Sequence, residues 1–113
     1  MSDGKTTKYT EIFKLKEMLE KANIPFGWYD NFFGSTKRES YQIQINSDID
    51  AVEYFGSCGN DRNLLEIMGG LTVEENKIYT VLGYLTAEEV FKRFKYCYEN
   101  NTSIYKKEDK SNE

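Results

Sequence analysis

Apolar residues recur at helical spacing near the beginning of the chain. Ile12, Leu15 and Leu19 follow one another at steps of three and four residues, which places them on one face of a helix. Asn23 is suited to the position just after a helix end. The pattern therefore predicts a first amphipathic helix over residues 8–22.

Two spacings in the second half of the chain predict helix starts, because Thr72 with Glu75 and Thr86 with Glu89 have the form of a capping box. The first predicts one or two helical turns, and the second predicts a long amphipathic helix. The apolar face of the long helix is formed by Ala87, Val90, Phe91, Phe94 and Cys97. The basic residues predicted to lie largely on its opposite, solvated face are Lys92, Arg93 and Lys95.

The middle of the chain has the pattern of β-strands. Residues 41–45 (YQIQI) alternate between apolar and polar side chains, which is typical of an antiparallel sheet with one solvated face. Residues 64–68 fit both a strand and a helical turn, and we favour a strand because Gly69 and Gly70 follow at once. The other predicted strands cover residues 25–33, 51–55 and 79–84.

Helices at both ends and antiparallel strands between them predict an α+β fold. We expect a two-layer sandwich, in which a small antiparallel sheet of three to five strands carries an N-terminal and a C-terminal helix. A chain of 113 residues is expected to form a single domain. We predict this domain over residues 8–101, with a flexible segment over residues 1–7 and a charged, disordered tail over residues 102–113.

Composition argues against several function classes. The net charge of −4 disfavours direct DNA or RNA binding and attachment to an anionic membrane. The chain has no His, which argues against His-activated nucleophiles and most zinc sites, so we predict no catalytic residues, no metal and no cofactor. Neither a spanning apolar run nor a secretory signal is apparent, which predicts a cytoplasmic protein with Cys58 and Cys97 as free thiols.

Residues 56–63 (GSCGNDRN) form the first candidate site. Two glycines three residues apart would let backbone N–H groups converge on an anion, and an arginine could add a bidentate phosphate contact. An ordinary hairpin connection is the alternative, in which the glycines only serve positive φ. Cys58 lacks an activating partner and is not predicted to be a nucleophile. The ligand-binding residues predicted here are Gly56, Ser57, Gly59, Asn60 and Arg62.

The second candidate site is aromatic. The chain has nine Tyr, seven Phe and one Trp. Trp28 and Tyr29 could stack on a nucleobase, or residues 28–33 could belong to the core and the sheet edge instead. Lys37 and Arg38 could add phosphate contacts from a neighbouring subunit, although solvated surface charge is the alternative.

Three segments resemble a group of small proteins encoded by phages and prophages of Gram-positive bacteria: EIFKLKEMLEKANIPF, LLEIMGGLT and GYLTAEEVFKR. The resemblance covers roughly residues 11–95. It implies a counter-defence role of the kind played by sponges, which bind a cyclic nucleotide or cyclic ADP-ribose-type messenger without cleaving it, usually as symmetric oligomers. It is a likeness at the level of a class, and it assigns no site residues.

The leading hypothesis is therefore a non-enzymatic, homo-oligomeric phage protein of the host cytoplasm. It would sequester a small nucleotide immune messenger and so counter bacterial antiviral defence. One alternative is an acidic inhibitor that binds a host defence protein. The glutamates at 74–75 and 88–89 support this alternative. A metal-dependent phosphodiesterase is the third and least favoured hypothesis.

Overall fold

The computed structural model describes residues 9–30, 40–54 and 64–106. In chain order, the elements of this part are α1 (Thr10–Lys21), β1 (Gly27–Asp30), β2 (Ser40–Asn46), β3 (Ile49–Tyr54), β4 (Leu65–Met68), α2 (Val73–Asn76), β5 (Leu82–Leu85) and α3 (Ala87–Asn100). The predicted α+β architecture is confirmed.

The strands form one antiparallel sheet in the order β1-β2-β3-β4-β5. Each strand therefore pairs with its neighbour along the chain. Residues 65–68 are a strand, as favoured from the sequence. Gly69 and Gly70 follow with φ of +81° and +77°, a backbone region that glycine enters without steric cost, and they end β4.

One face of the sheet carries the core. Ile43, Ala51 and Ile67 lie side by side on β2, β3 and β4, and all three are fully buried. The helices α1 and α3 cover this face with the apolar stripes that the sequence predicts. Their fully buried members are Ile12, Leu15, Leu19, Ala87, Val90 and Phe94. Each large apolar side chain buried in this way contributes about 1.5–3 kcal/mol.

Both long helices end in the same way. After α1, the N–H of Ile24 donates to the carbonyl of Leu19 at 3.1 Å, and Asn23 has a φ of +60°. After α3, the N–H of Thr102 donates to the carbonyl of Cys97 at 3.1 Å. Asn101 takes the matching position at +53°. These are Schellman ends, in which asparagine tolerates the left-handed conformation better than most residues do.

The two predicted capping boxes differ in the structure. At α2, the Glu75 N–H donates to Thr72 Oγ1 at 3.1 Å and the Thr72 N–H donates to Glu75 Oε1 at 2.9 Å, so this box is complete. At α3, Thr86 Oγ1 accepts the Glu89 N–H at 3.2 Å. The N–H of Ala87, the first residue of α3, donates to Glu11 Oε1 of α1 at 2.7 Å. The start of α3 is therefore fixed to the other long helix.

The ordered chain continues past the predicted start of the tail at residue 102. The Tyr105 N–H donates to the carbonyl of Leu71 at 2.9 Å, and the Gly70 N–H donates to the carbonyl of Ser103 at 2.8 Å. Tyr105 is buried because its ring packs against the core. Residues 102–106 thus belong to the folded body, whereas residues 1–8 and 107–113 lie outside the described part.

Cys97 is a core residue, as predicted. It lies on the sheet-facing side of α3 and is 1% exposed. Burial raises the pKa of its thiol to about 11, although the nearby Arg93 acts in the opposite direction. The thiol therefore stays protonated at neutral pH, and a thiol in this form is a poor nucleophile. Cys58 lies outside the described residues.

Candidate functional site

Both candidate segments leave the sheet at the same end. Asp30, the last residue of β1, pairs with Tyr41. Ser40, the first residue of β2, pairs with Tyr54, the last residue of β3. Residues 31–39 and 55–63 therefore join strands whose ends are neighbours. We call the end of the sheet formed by Asp30, Ser40 and Tyr54 the upper end.

Trp28 lies close to the upper end on the helix-covered face. Its ring stacks on Tyr41 with a centroid distance of 5.8 Å and an interplanar angle of 27°, and it contacts Phe13 of α1 at 5.4 Å. Lys16 Nζ lies 5.2 Å from the centroid of the Trp28 ring, within the range of a cation–π contact. Trp28 thus joins α1 to the first two strands and is partly buried.

Tyr29 lies on the opposite face of the sheet. Successive side chains of a strand point to opposite faces, so the neighbours Trp28 and Tyr29 are separated by the thickness of the sheet. Tyr29 is 47% exposed and lies opposite Gln42. A planar ligand could reach the Tyr29 ring from solvent, whereas the Trp28 ring is engaged by α1 and β2.

The other predicted ligand-binding residues lie outside the described part of the chain. They are Lys37, Arg38, Gly56, Ser57, Gly59, Asn60 and Arg62. The ends of their two segments are nevertheless placed by the strands at the upper end.

A buried acid, which sequence reasoning missed, also lies near the upper end. Glu53 of β3 is fully buried and pairs with Tyr41 on the helix-covered face. It takes part in polar interactions there, as expected for an ionisable group that has been removed from water. Its position follows from strand alternation, since Ile49 and Ala51 precede it at two-residue steps on the same buried face.

The face of the sheet away from the helices has a different character. Its side chains come from Tyr29, Gln42, Gln44, Asp50, Val52, Glu66 and Met68, which occupy the strand positions between the buried ones. We call this surface the second face; Tyr29 and Met68 are exposed on it, whereas Ser40 at its upper end is fully buried. Gln42 Nε2 donates to Asp50 Oδ2 at 2.7 Å. Burial raises the pKa of the Asp50 carboxyl, and the nearby charge of Glu66 adds to this effect.

Arg93 is not on the solvated face of α3 where the sequence pattern placed it. It is 5% exposed. Its guanidinium binds Glu75 through two hydrogen bonds of 2.8 and 3.1 Å, Glu89 at 2.8 Å and the carbonyl of Gly70 at 3.0 Å. It also lies 5.0 Å from the ring centroid of Tyr105. We call these five residues the Arg93 cluster, and they join α2, α3 and the C-terminal segment.

The Arg93 cluster changes the pKa of one of its carboxyl groups. The hydrogen bonds from Arg93 lower the pKa of Glu75 to about 2, against an ordinary value of 4.5. The four hydrogen bonds of the guanidinium connect α3 with α2 and with the end of β4, so the cluster holds these parts of the fold together. Glu89 and Arg93 lie four residues apart on one helix, and this spacing is the sequence feature that could have predicted their ion pair.

Within residues 9–30, 40–54 and 64–106, no group of three or more His, Cys, Asp or Glu side chains is arranged to hold a metal ion. No helix in the same residues is both long and apolar enough to cross a membrane.

The geometry defines an α+β sandwich with one helix-covered face, a second face of mostly half-buried side chains, and an upper end from which two candidate segments leave. Comparisons of the chain with family models, curated proteins and solved structures give no match. The proposal below therefore depends on the site and on the resemblance described under the sequence.

Proposed function

We propose that this chain is a non-enzymatic binding protein that sequesters a small nucleotide messenger at the upper end of its sheet. One observation carries the proposal. The two segments that hold all the predicted glycine and cationic ligand residues, 31–39 and 55–63, are joined to adjacent strand ends. A single chain can therefore supply both sets of phosphate contacts, without the neighbouring subunit that the sequence analysis invoked for Lys37 and Arg38.

The chemistry of the two segments suits a phosphorylated ligand. Glycine-flanked backbone N–H groups bind anions, and the guanidinium groups of Arg38 and Arg62 match phosphate in a bidentate manner. Tyr29 supplies an exposed ring beside the upper end for a base. In this proposal Trp28 braces β1 against α1, because its ring already packs on Phe13 and Tyr41.

The biological setting comes from the resemblance to small phage and prophage proteins. On that ground we propose that the ligand is a cyclic nucleotide or a cyclic ADP-ribose-type messenger of bacterial antiviral defence. Binding without turnover is part of the proposal, as is assembly into a homo-oligomer in the host cytoplasm.

Native mass spectrometry tests the proposal directly. The purified protein is measured alone and with a panel of cyclic nucleotides and cyclic ADP-ribose isomers. We expect one ligand to be retained with unchanged mass at a fixed ratio to the chain. Trp28 is the only tryptophan and lies near the upper end, so its fluorescence is expected to change with the same ligand. A converted mass would replace the proposal with an enzymatic one, and no adduct across the panel would refute it.

A matched pair of variants then locates the site. Arg62→Gln removes a charge-assisted phosphate contact, whose loss of about 1.5 kcal/mol or more weakens binding by roughly tenfold. Lys95→Gln removes the same charge from the exposed side of α3, where Lys95 pairs with Glu99 at 2.9 Å, and should change the affinity less than about twofold. Equal effects of the two variants would mean that only overall charge matters.

A further inference from the structure

The helix α2 buries none of its four residues. Of the eight residues 73–80, seven are exposed, and Glu75 is the exception. Helices in folded proteins are usually stabilised by burying an apolar face. Here Val73, Ile78 and Tyr79 are 54%, 74% and 49% exposed. The helix and the turn after it therefore present their large apolar side chains to solvent.

These three apolar residues are close together along the backbone. The N–H groups of Ile78 and Tyr79 both donate to the carbonyl of Glu75, at 3.0 and 2.8 Å, so the turn stays against the end of the helix. At a rise of about 1.5 Å per residue, Val73 lies within roughly 10 Å of both. Single exposed apolar residues are ordinary on protein surfaces, whereas a group of them rimmed by polar residues marks an interaction site.

The Arg93 cluster holds α2 in one orientation. The Glu75 carboxylate accepts hydrogen bonds of 2.8 and 3.1 Å from Arg93 and one of 2.9 Å from the Thr72 N–H. Because Glu75 belongs to α2 and Arg93 to α3, this ion pair fixes the short helix to the long one. A surface that is already ordered loses little conformational entropy when it binds a partner. Arg93 thus orients a helix whose other side chains stay in solvent, as a binding surface requires.

The charges on this helix are balanced. Glu74 lies on α2 and Lys77 directly follows it. Within the part of the chain that the structure describes, neither side chain forms an ion pair. Together they add no net charge, although the whole chain carries −4. We call Val73, Glu74, Lys77, Ile78 and Tyr79 the α2 surface.

We infer that the α2 surface is a homodimer interface, at which two copies of this chain meet about a two-fold axis. In such an interface, every contact between two different residues occurs twice, once in each direction. Glu74 of each copy therefore pairs with Lys77 of the partner subunit, and the apolar residues pack between the two ion pairs. A basic partner would repel Lys77, and an acidic partner would repel Glu74. A second copy is the occupant that satisfies both charges.

The α2 surface follows the end of the sheet that lies away from the upper end. β4 ends at Met68, opposite Asp50 of β3, and β3 continues from there to Tyr54 at the upper end. The inferred interface therefore uses no residue of segments 31–39 or 55–63. It gives the proposed homo-oligomer its interface and in that respect rests on the proposed function, but its evidence is independent of any nucleotide.

Sedimentation velocity of the full chain over a concentration series tests for the dimer. Seven exposed residues on each side are fewer than the roughly 20–30 of a standard interface. We therefore expect a reversible dimer with a dissociation constant in the micromolar range. A chain that stays monomeric up to about 1 mM would overturn the inference. If that monomer still retained a ligand in native mass spectrometry, nucleotide sequestration would stand without this interface.

Two tyrosine variants locate the interface. Tyr79 and Tyr98 are 49% and 47% exposed, but Tyr98 lies on α3, outside the α2 surface. Tyr79→Ser removes an aromatic anchor and should weaken the dimer at least fivefold, whereas Tyr98→Ser should change it less than twofold. Both variants should melt close to the native chain, as is usual for exposed positions. Equal effects, or a dimer unaffected by Tyr79→Ser, would assign the contact to another surface and overturn the inference.

Charge reversal tests the two-fold pairing itself. Glu74→Lys places like charges opposite each other at both ion pairs, and so does Lys77→Glu, so each variant alone should weaken the dimer about tenfold or more. An equimolar mixture of the two variants restores opposite charges across the interface. With one variant carrying a fluorescein label, sedimentation should therefore show a heterodimer about as tight as the native dimer. A mixture that stays as weak as its components would show that Glu74 does not pair with Lys77 of the partner subunit and would overturn the inference.

Discussion

Replacing Arg93 with Met is expected to lower the free energy of unfolding by about 3–5 kcal/mol, the usual result of removing one partner from a buried ion pair. The substitution keeps a long apolar stem but removes the guanidinium from the carbonyl of Gly70 and from Glu75, which keeps only the Thr72 N–H as a donor. A chain of this size is stable by about 5–15 kcal/mol in total. The loss is therefore a large share of the stability, and thermal unfolding monitored by circular dichroism should show a shift of about 10–20 °C.

The pH dependence identifies the cause of that loss. The pKa of Glu75 is lowered to about 2 in the folded protein, so the stability it provides is present above its ordinary value of 4.5 and disappears as the pH falls towards 2. The difference between native protein and Arg93→Met should therefore shrink over this range. Lys92→Met is the control, because Lys92 is 60% exposed and pairs with Glu89 at 3.7 Å. A shift as large for Lys92→Met, or a difference constant down to pH 2, would contradict the assigned role.

Gly69→Ala is expected to destabilise the fold by about 2–5 kcal/mol, which combines about 1–2 kcal/mol for the left-handed conformation and about 1–3 kcal/mol for overpacking. A Cβ on Gly69 would lie 2.2 Å from the backbone oxygen of Asp48 and 2.9 Å from Ile49 Cγ1. A backbone oxygen in the turn between β2 and β3 cannot move aside as a flexible side chain would. Urea denaturation of the variant measures the loss.

The adjacent glycine is a matched control. Gly70 has nearly the same φ, +77°, but a Cβ there would meet only side-chain atoms of Phe94 and Arg93 at 3.5–3.8 Å, which are ordinary van der Waals distances. Gly70→Ala should therefore show the conformational part alone, about 1–2 kcal/mol. If both variants lose the same stability, the contact with Asp48 does not matter.

The elements of the fold were largely predictable because they depend on local patterns. The three- and four-residue steps of Ile12, Leu15 and Leu19 predict α1 without reference to any partner. The alternation of residues 41–45 predicts a strand with one buried face, and Ile43 is indeed the buried member at its centre. Glycines at 69 and 70 correctly favoured a strand over a helical turn before them.

What sequence reasoning missed depends on contacts between distant residues. Arg93 is buried because Glu75, 18 positions away, reaches its guanidinium, and no helical periodicity contains that information. The Ala87 N–H is bound by Glu11 from the other end of the chain, where local spacing suggested only Thr86 and Glu89. Residues 102–106 look like the beginning of a polar tail, but Tyr105 finds a place beside the core.

The arrangement of the candidate site also depends on contacts that local sequence patterns do not contain. The sequence placed Trp28 and Tyr29 together because they are adjacent and aromatic, whereas the strand separates them onto two faces. Only the register of β1, β2 and β3 shows that residues 31–39 and 55–63 join neighbouring strand ends. Charge on a single face is also invisible in composition, since Asp50 and Glu66 become neighbours through the pairing of β3 with β4.

Each strand pairs with its neighbour along the chain, and this arrangement predicts the order in which the hairpins and helices form during folding. The β2–β3 hairpin closes over the short turn at residues 47–48, whereas the bond between Glu11 and Ala87 joins positions 76 residues apart. Closing the longer loop carries an additional entropic cost of roughly 2 kcal/mol. The hairpins should therefore form first and α1 should dock on α3 last. In pulsed hydrogen exchange during refolding, the Ala87 amide would gain protection after the hairpin amides, and simultaneous protection would contradict this order.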